Sequence, residues 1–174
     1  MQTRIKICGI TNLADAWAAA DAGADAVGFV FYEQSPRWLA WAAAEAIIRE
    51  LPPFLAKVGL FVDASEDEVR RALEATGLDT LQFHGQESPE FCRRFRRKII
   101  KAFRVRDERT LDEMQAYPEP AWLLDADVAG KHGGTGVACN WELAARAVRR
   151  HRTVILAGGL TPENAAEAVR QVQP

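Results

Sequence analysis

The sequence lacks the features that would place it at a membrane, on nucleic acid or in a disulfide framework. Its 174 residues contain no apolar span long enough to cross a bilayer, and no signal peptide or lipidation motif is visible. Cysteine is scarce. Cys8, Cys92 and Cys139 make an odd number with no CxxC spacing, which argues against a disulfide framework and against a structural zinc site, so no metal is expected and the setting reads as reducing and cytoplasmic. A surplus of either charge is also missing. With 22 Lys+Arg against 24 Asp+Glu the formal net charge is -2, which gives no broad basic surface. The longest basic cluster, 93–98, falls where a helix is expected to end, and no aromatic-rich strand or recognition motif accompanies it, so no nucleic-acid partner is expected. The first strand carries no dinucleotide glycine fingerprint, and no GK[ST] ending marks a Walker loop.

What is present is an alternation. Lys6–Cys8 reads as a strand ending on a thiol, with Ile5 and Ile7 on one face and Lys6 and Cys8 on the other. Gly9 allows a sharp turn, Thr11 or Asn12 can cap the alanine-rich helix over 13–22, and Gly23 stops it before a second strand over 25–31. The unit repeats. Helices are predicted over 40–50, from a capping box at Ser65–Glu68 to Gly77, over 88–96, 107–115 and 140–150, and after the cap at Thr161–Asn164. Strands are predicted over 56–62, 79–84, 98–104, 121–125 and 153–157. Seven βα units at this spacing predict a parallel α/β sheet, either doubly wound or closed into a barrel. Inward polar residues at Lys6, Gln82 and Asp125, with the missing dinucleotide fingerprint, favour the barrel. The expectation is a single βα-barrel domain over 1–174, a (β/α)8 TIM barrel of which about seven units are present.

Active sites of βα-barrels lie at the C-terminal ends of the strands. The last inward positions there are Cys8, His84, Asp125 and the Gly158-Gly159 pair. Taken singly, Cys8 reads as a core thiol, His84 as a loop cap and Asp125 as a loop-entry carboxylate; taken together they gather an imidazole, a thiol and a carboxyl on one rim. Asp125 leaves the apolar run Trp122-Leu123-Leu124, so burial favours its protonated form, while Lys6 one layer below Cys8 favours the thiolate. A base and an acid at strand ends suit a proton-shuttling isomerisation with no metal or redox cofactor. Gly158-Gly159, just before an expected helix N-terminus, is a candidate phosphate cradle, with a plain tight turn as the alternative. The glycine-rich run 130–136 is expected to be a lid or a second anion contact, and Arg37, after Ser35-Pro36, can fork onto a carboxylate.

The motifs Lys-Ile-Cys-Gly-Ile-Thr at 6–11, Ala-Asp-Ala-Val-Gly-Phe-Val-Phe at 24–31, Ser-Pro-Arg at 35–37, Leu-Gln-Phe-His-Gly at 81–85, Leu-Leu-Asp at 123–125, Gly-Gly-Thr-Gly at 133–136 and Leu-Ala-Gly-Gly-Leu-Thr-Pro-Glu-Asn at 156–164 run in order through the chain. In them the sequence resembles the phosphoribosylanthranilate isomerases. That resemblance implies an eight-stranded βα-barrel enzyme of tryptophan biosynthesis, without a cofactor, that performs an Amadori rearrangement of an aminoaldose to an aminoketose. It implies a small phosphorylated substrate and a monomer or homodimer. By position, Cys8 matches the family's general base at the ribose C2′ carbon and Asp125 the general acid at the furanose ring oxygen, with Asp127 as second choice. Arg37 matches the holder of the anthranilate carboxylate, Gly158 and Gly159 half of the phosphate site, and His84 a rim contact.

Two departures stand out. Cys139-Asn140-Trp141 replaces the family's usual Phe-Asp-Trp before the sixth helix, where asparagine still caps. The family also continues past the position of Pro174 into an eighth strand and helix that complete the phosphate site, so the barrel reads as C-terminally incomplete, with the edges of strands one and seven and some apolar surface exposed. Two rival readings fit the residues less well. The histidine-pathway aminoaldose isomerase is expected to place a carboxylate at the end of strand one, where this chain has Cys8; a catalytically silent ligand-binding barrel is opposed by an intact Cys8 and Asp125.

Overall fold

The structure is a computed structural model that describes residues 3–118, 120–126 and 139–174. The chain divides into two compact units, 2–99 and 100–174. In the first, four parallel strands, β1 (Lys6–Cys8), β2 (Ala26–Val30), β3 (Ala56–Phe61) and β4 (Thr80–Phe83), pair in sequence order. Helices α1 (Leu13–Asp21), α2 (Trp41–Arg49), α3 (Glu66–Thr76) and α4 (Pro89–Cys92) alternate with them. Local chemistry sets the boundaries. The Asn12 side chain accepts from the Asp15 amide at the start of α1, Ser65 and Glu68 form a reciprocal capping box on α3, and Gly77 ends α3 at φ 69°.

Alternation within each strand divides its faces. Val27, Phe29, Leu81 and Phe83 are buried, and Phe83 meets Phe91 and Phe95 at ring-centroid distances of 5.4 and 5.5 Å. β1 behaves differently. It has one strand partner among the described residues, and Ile5 and Ile7, opposite the Cys8 face, are 52% and 43% exposed, with Leu13 and Trp17 of α1 exposed as well.

One predicted helix is corrected. The stretch 88–96 forms a single turn, with Ser88 as cap and Pro89 at its first position, and α4 ends at Cys92. Continuing it would stack Arg93 on Arg96 and Arg97, and Arg94 on Arg97, at helical spacing, where like charges repel. Instead Arg94 reaches Glu66 at 2.8 Å, Arg97 donates to the Leu78 carbonyl, and Phe95 turns into the core. Hydrogen bonds from Arg70 and then Arg94 hold the exposed Glu66 carboxyl below the usual carboxylate range.

The second unit contains β5 (Lys98–Val105, which starts as the first unit ends), β6 (Ala121–Ala126) and β7 (Val154–Leu156), again parallel and in order. Its helices are α5 (Glu108–Glu113, continued by a 3-10 turn over Met114–Ala116), α6 (Trp141–Arg150) and α7 (Ala165–Val172). Trp122 and Leu124 of β6 face a core with Leu111, Met114, Leu143, Ala144 and Ala147. By strand alternation Leu123 and Asp125 take the opposite face. Trp122 donates from Nε1 to the Tyr117 carbonyl at 2.8 Å and stacks on His151 at 4.1 Å. Asn140 caps α6 by accepting from the Leu143 amide, so this substitution for aspartate keeps the helix start.

Helix α7 begins later than the Thr-Pro-Glu-Asn signal predicts. The Thr161 carbonyl accepts from the amides of both Asn164 and Ala165, which makes a separate turn over 161–165. The Asn164 side chain closes that turn, accepting from the Thr161 amide and donating to the Gly159 carbonyl, and provides no cap to the helix.

Candidate active site

In the first unit Cys8 is the last residue of β1 and stands opposite Gly28 of β2. A Cβ on Gly28 would lie 2.9 Å from Lys6 Nζ and 3.0 Å from Cys8 Sγ, so the missing side chain is where the amine and the thiol are packed. Mid-strand glycine is a known mark of such close approach, although the sequence reading passed over this one. Beyond Cys8 the amides of Gly9 and Ile10 both donate to the Gly28 carbonyl, at 2.8 and 3.0 Å, and fix the turn out of the strand.

Arg37 is brought to the same place. Its Nη1 donates to the Cys8 carbonyl at 3.3 Å, and its aliphatic stem crosses Gly9, whose Cβ would lie 2.4 Å from Arg37 Cδ. Sequence separation hides this contact; the structure joins the candidate base and the candidate carboxylate holder through one peptide carbonyl. The Ser35 hydroxyl accepts from the Arg37 amide and shapes the loop.

His84 follows β4, with its amide donating to the Phe61 carbonyl at 2.9 Å and its ring Nδ1 3.2 Å from Gln82 Nε2. A carboxylate brace supports this rim. Buried Glu87 accepts from the amides of Asp63 at 2.8 Å and Gly85 at 2.9 Å, and Asp63 accepts from the Gln86 amide. Asp63 is held at φ 51°, and a Cβ on Gly85 would lie 2.3 Å from Asp63 Oδ1. Neither carboxylate was singled out from the sequence, because the bonds from Glu87 to the Asp63 amide and from Asp63 to the Gln86 amide join loops more than 20 residues apart.

In the second unit Asp125 is 6% exposed near the end of β6, and Oδ1 accepts from the Ala126 amide at 2.9 Å. Gly158, after β7, stands at φ 78°, and a Cβ there would lie 2.4 Å from Ala126 N and 2.8 Å from Asp125 Oδ1. Gly159 follows at φ 64°. The pair was expected immediately before a helix N-terminus; the intervening turn over 161–165 separates it from α7, so any phosphate contact there comes from the glycine turn itself. Asp127 and the run 130–136 lie outside the described residues.

Cys139 joins this group through its amide, which donates to the Gly158 carbonyl at 3.3 Å. Burial first, and the neighbouring Asp125 carboxylate second, push its thiol up to about 11 from an ordinary 9.0. The native thiol therefore keeps its proton where the unfolded one has lost it. The stability this provides is full below about pH 9 and is lost as pH rises to about 11, by roughly 2–3 kcal/mol. Denaturant melts of wild type and Cys139→Ala across this window should diverge by that amount; parallel curves would remove Cys139 as the cause.

A family model described as PRAI, N-(5'phosphoribosyl)anthranilate (PRA) isomerase, matches residues 5–174. The chain is 52% identical over 171 residues to the N-(5'-phosphoribosyl)anthranilate isomerase of Pelobacter propionicus, covering 98% of this chain and 81% of that one. Among solved structures it is similar to phosphoribosyl anthranilate isomerase from Thermotoga maritima, with TM-score 0.93, 39% identity and coverage of 99% and 85%. Two further crystal structures also match. One, of monomers generated from the dimeric Thermotoga maritima protein, has TM-score 0.89, 36% identity and coverage of 99% and 84%. The other, of a PRAI in complex with reduced 1-(O-carboxyphenylamino)-1-deoxyribulose 5-phosphate, has TM-score 0.89, 39% identity and the same coverage.

Proposed function

Because this chain belongs to the N-(5'-phosphoribosyl)anthranilate isomerase family, we propose that Cys8 is the base and Asp125 the acid of its aldose–ketose isomerisation. The fold class is that of the family, a βα-barrel. The enzyme acts in tryptophan biosynthesis on a phosphorylated sugar joined to anthranilate. Asp125 gives its proton to the furanose ring oxygen as the C1′–O bond breaks and the nitrogen lone pair moves in, which opens the ring to a protonated imine and leaves Asp125 as a carboxylate. Cys8 Sγ then takes the C2′ proton, the electron pair moves into a C1′–C2′ double bond, and the resulting enol tautomerises to the ketone. The substrate gains one proton from Asp125 and gives one to Cys8, and the electron pairs stay within it, so atoms and charge balance with no redox partner once solvent returns the two groups to their starting protonation.

One observation carries this assignment: each proposed group packs its reactive atom against a glycine, Cys8 Sγ against Gly28 and Asp125 Oδ1 against Gly158. Side-chain-free backbone beside the sulfur and the carboxylate oxygen leaves room there for the atoms that exchange protons with them. Arg37, fixed by the Cys8 carbonyl, holds the anthranilate carboxylate with its remaining N–H groups, Gly158 and Gly159 bring backbone to the phosphate, and His84 is a substrate contact. The test mixes this 174-residue chain with phosphoribosylanthranilate made in situ and follows its fluorescence. Loss of signal above the uncatalysed rate is expected; a rate equal to buffer would overturn the reading.

A cytoplasmic, homodimeric form completes the reading. Cys8, Cys92 and Cys139 are free thiols, and among the described residues no helix is long and apolar enough to cross a membrane. Phe54, after Pro52-Pro53, is 99% exposed, an aromatic anchor that water does not favour, and the related Thermotoga maritima protein is described as dimeric. Sedimentation equilibrium should give a dimer for wild type and a monomer for Phe54→Glu. Equal masses would rule out Phe54 as a contact.

A further inference from the structure

Gln82 lies within β4 at 2% exposure, opposite Leu60 of β3. A primary amide brings four hydrogen-bonding positions into the interior. Here Nε2 lies 3.2 Å from His84 Nδ1, two residues along the same strand face, and Oε1 is buried with no hydrogen-bond partner. The pair can be matched in two ways. If the amide nitrogen donates, Nδ1 offers a lone pair and the neutral ring carries its proton on Nε2. If the amide is turned over, Oε1 accepts from a protonated Nδ1 and an NH2 group takes the orphaned place. A buried oxygen with unused lone pairs is tolerated more often than a nitrogen with both hydrogens unpaired, so the first arrangement is favoured.

We propose that Gln82 is a positioning residue that fixes the tautomer of His84: its amide holds Nδ1 as an acceptor, so that neutral His84 meets the substrate as a hydrogen-bond donor through Nε2. The donor role rests on the reading of His84 as a substrate contact; the tautomer does not. Local geometry makes the lock effective, because the His84 amide bond to the Phe61 carbonyl carries the ladder one residue past β4, so that i and i+2 share a face, and buried Gln82 has almost no exposed surface through which to swing away.

Long-range proton–nitrogen correlation spectra of the histidine-labelled chain, at a pH where the imidazoles are neutral, read the tautomer directly. The sequence has three histidines, and loss of one set of signals in His84→Asn identifies the relevant ring. A protonated Nε2 with an unprotonated Nδ1 is expected in wild type. In Gln82→Glu the carboxylate can only accept, so the proton should move to Nδ1, and KM should rise by about five- to ten-fold, the scale of one hydrogen bond, with kcat changed far less. Gln82→Met should give a mixture of tautomers. A wild-type ring protonated on Nδ1, or a pattern unaltered in Gln82→Glu, overturns the proposal, and the wild-type spectrum decides even if the variants fail to fold. Should the tautomer be as stated while KM stays put in both His84→Asn and Gln82→Glu, the substrate-contact reading fails and the tautomer assignment stands.

Discussion

Cys8→Ala is expected to lower kcat by about 100-fold or more, with KM changed by much less, and Asp125→Asn to do the same. The reason for the first is chemical. Alanine at position 8 leaves the β1–β2 register and the Arg37 bond to the residue 8 carbonyl intact, since residue 8 contributes only backbone to both, and removes only the atom proposed to receive the C2′ proton. Cys8 is partly exposed, so little core packing is lost with the sulfur. Asn at 125 can still accept from the Ala126 amide through its oxygen, which preserves the end of β6, but it has no acidic proton to give to the ring oxygen. Steady-state fluorescence assays of both variants, with circular dichroism melts to show that they fold, provide the check. Turnover near that of wild type in either would remove that residue from its role.

The second large effect is expected at a residue with no side chain. Gly158→Ala should destabilise the protein by roughly 3 kcal/mol or more and reduce activity further than the lost stability explains. The new Cβ would stand 2.4 Å from the Ala126 amide nitrogen, a backbone atom that cannot swing aside, and 2.8 Å from Asp125 Oδ1. Positive φ adds its own cost for an L-residue, about 1–2 kcal/mol. Gly77 separates the two contributions. It too has positive φ, 69°, but nothing lies within 4 Å of its Cβ position, so Gly77→Ala should show the conformational cost alone. Urea denaturation of the pair makes the comparison. If Gly158→Ala is no worse than Gly77→Ala, the contact with β6 and Asp125 is not a constraint.

Much of this was legible in the residues because it is local. Asn12, Ser65, Ser88, Asp107 and Asn140 each sit three residues before the amide they cap, and strand alternation alone puts Cys8 on the face opposite Ile5 and Ile7. What escaped is what long-range contacts decide. The basic run 93–98 reads as a helix end, yet Glu66 and the Leu78 carbonyl, far back in sequence, draw its arginines away. The segment Thr161–Asn164 reads as a cap, yet the Gly159 carbonyl and the Thr161 amide claim the Asn164 side chain. Gly28 could have been found from its place inside an apolar strand. The approach of Cys139 to the Asp125 site carries no local signal at all.

The bond from Arg37 to the Cys8 carbonyl has a consequence for selectivity. In the proposed site, recognition of the ligand's carboxylate by Arg37 and abstraction of a proton by Cys8 rest on the same peptide unit. On that reading, a carboxylate that aligns the guanidinium also orients the peptide unit of the residue that carries the sulfur. An analogue in which hydrogen replaces that carboxylate would be penalised twice, in residence and in the angle at which its carbon meets the base. Discrimination against aglycones without an anion should thus appear in the turnover of bound complexes as well as in how many form.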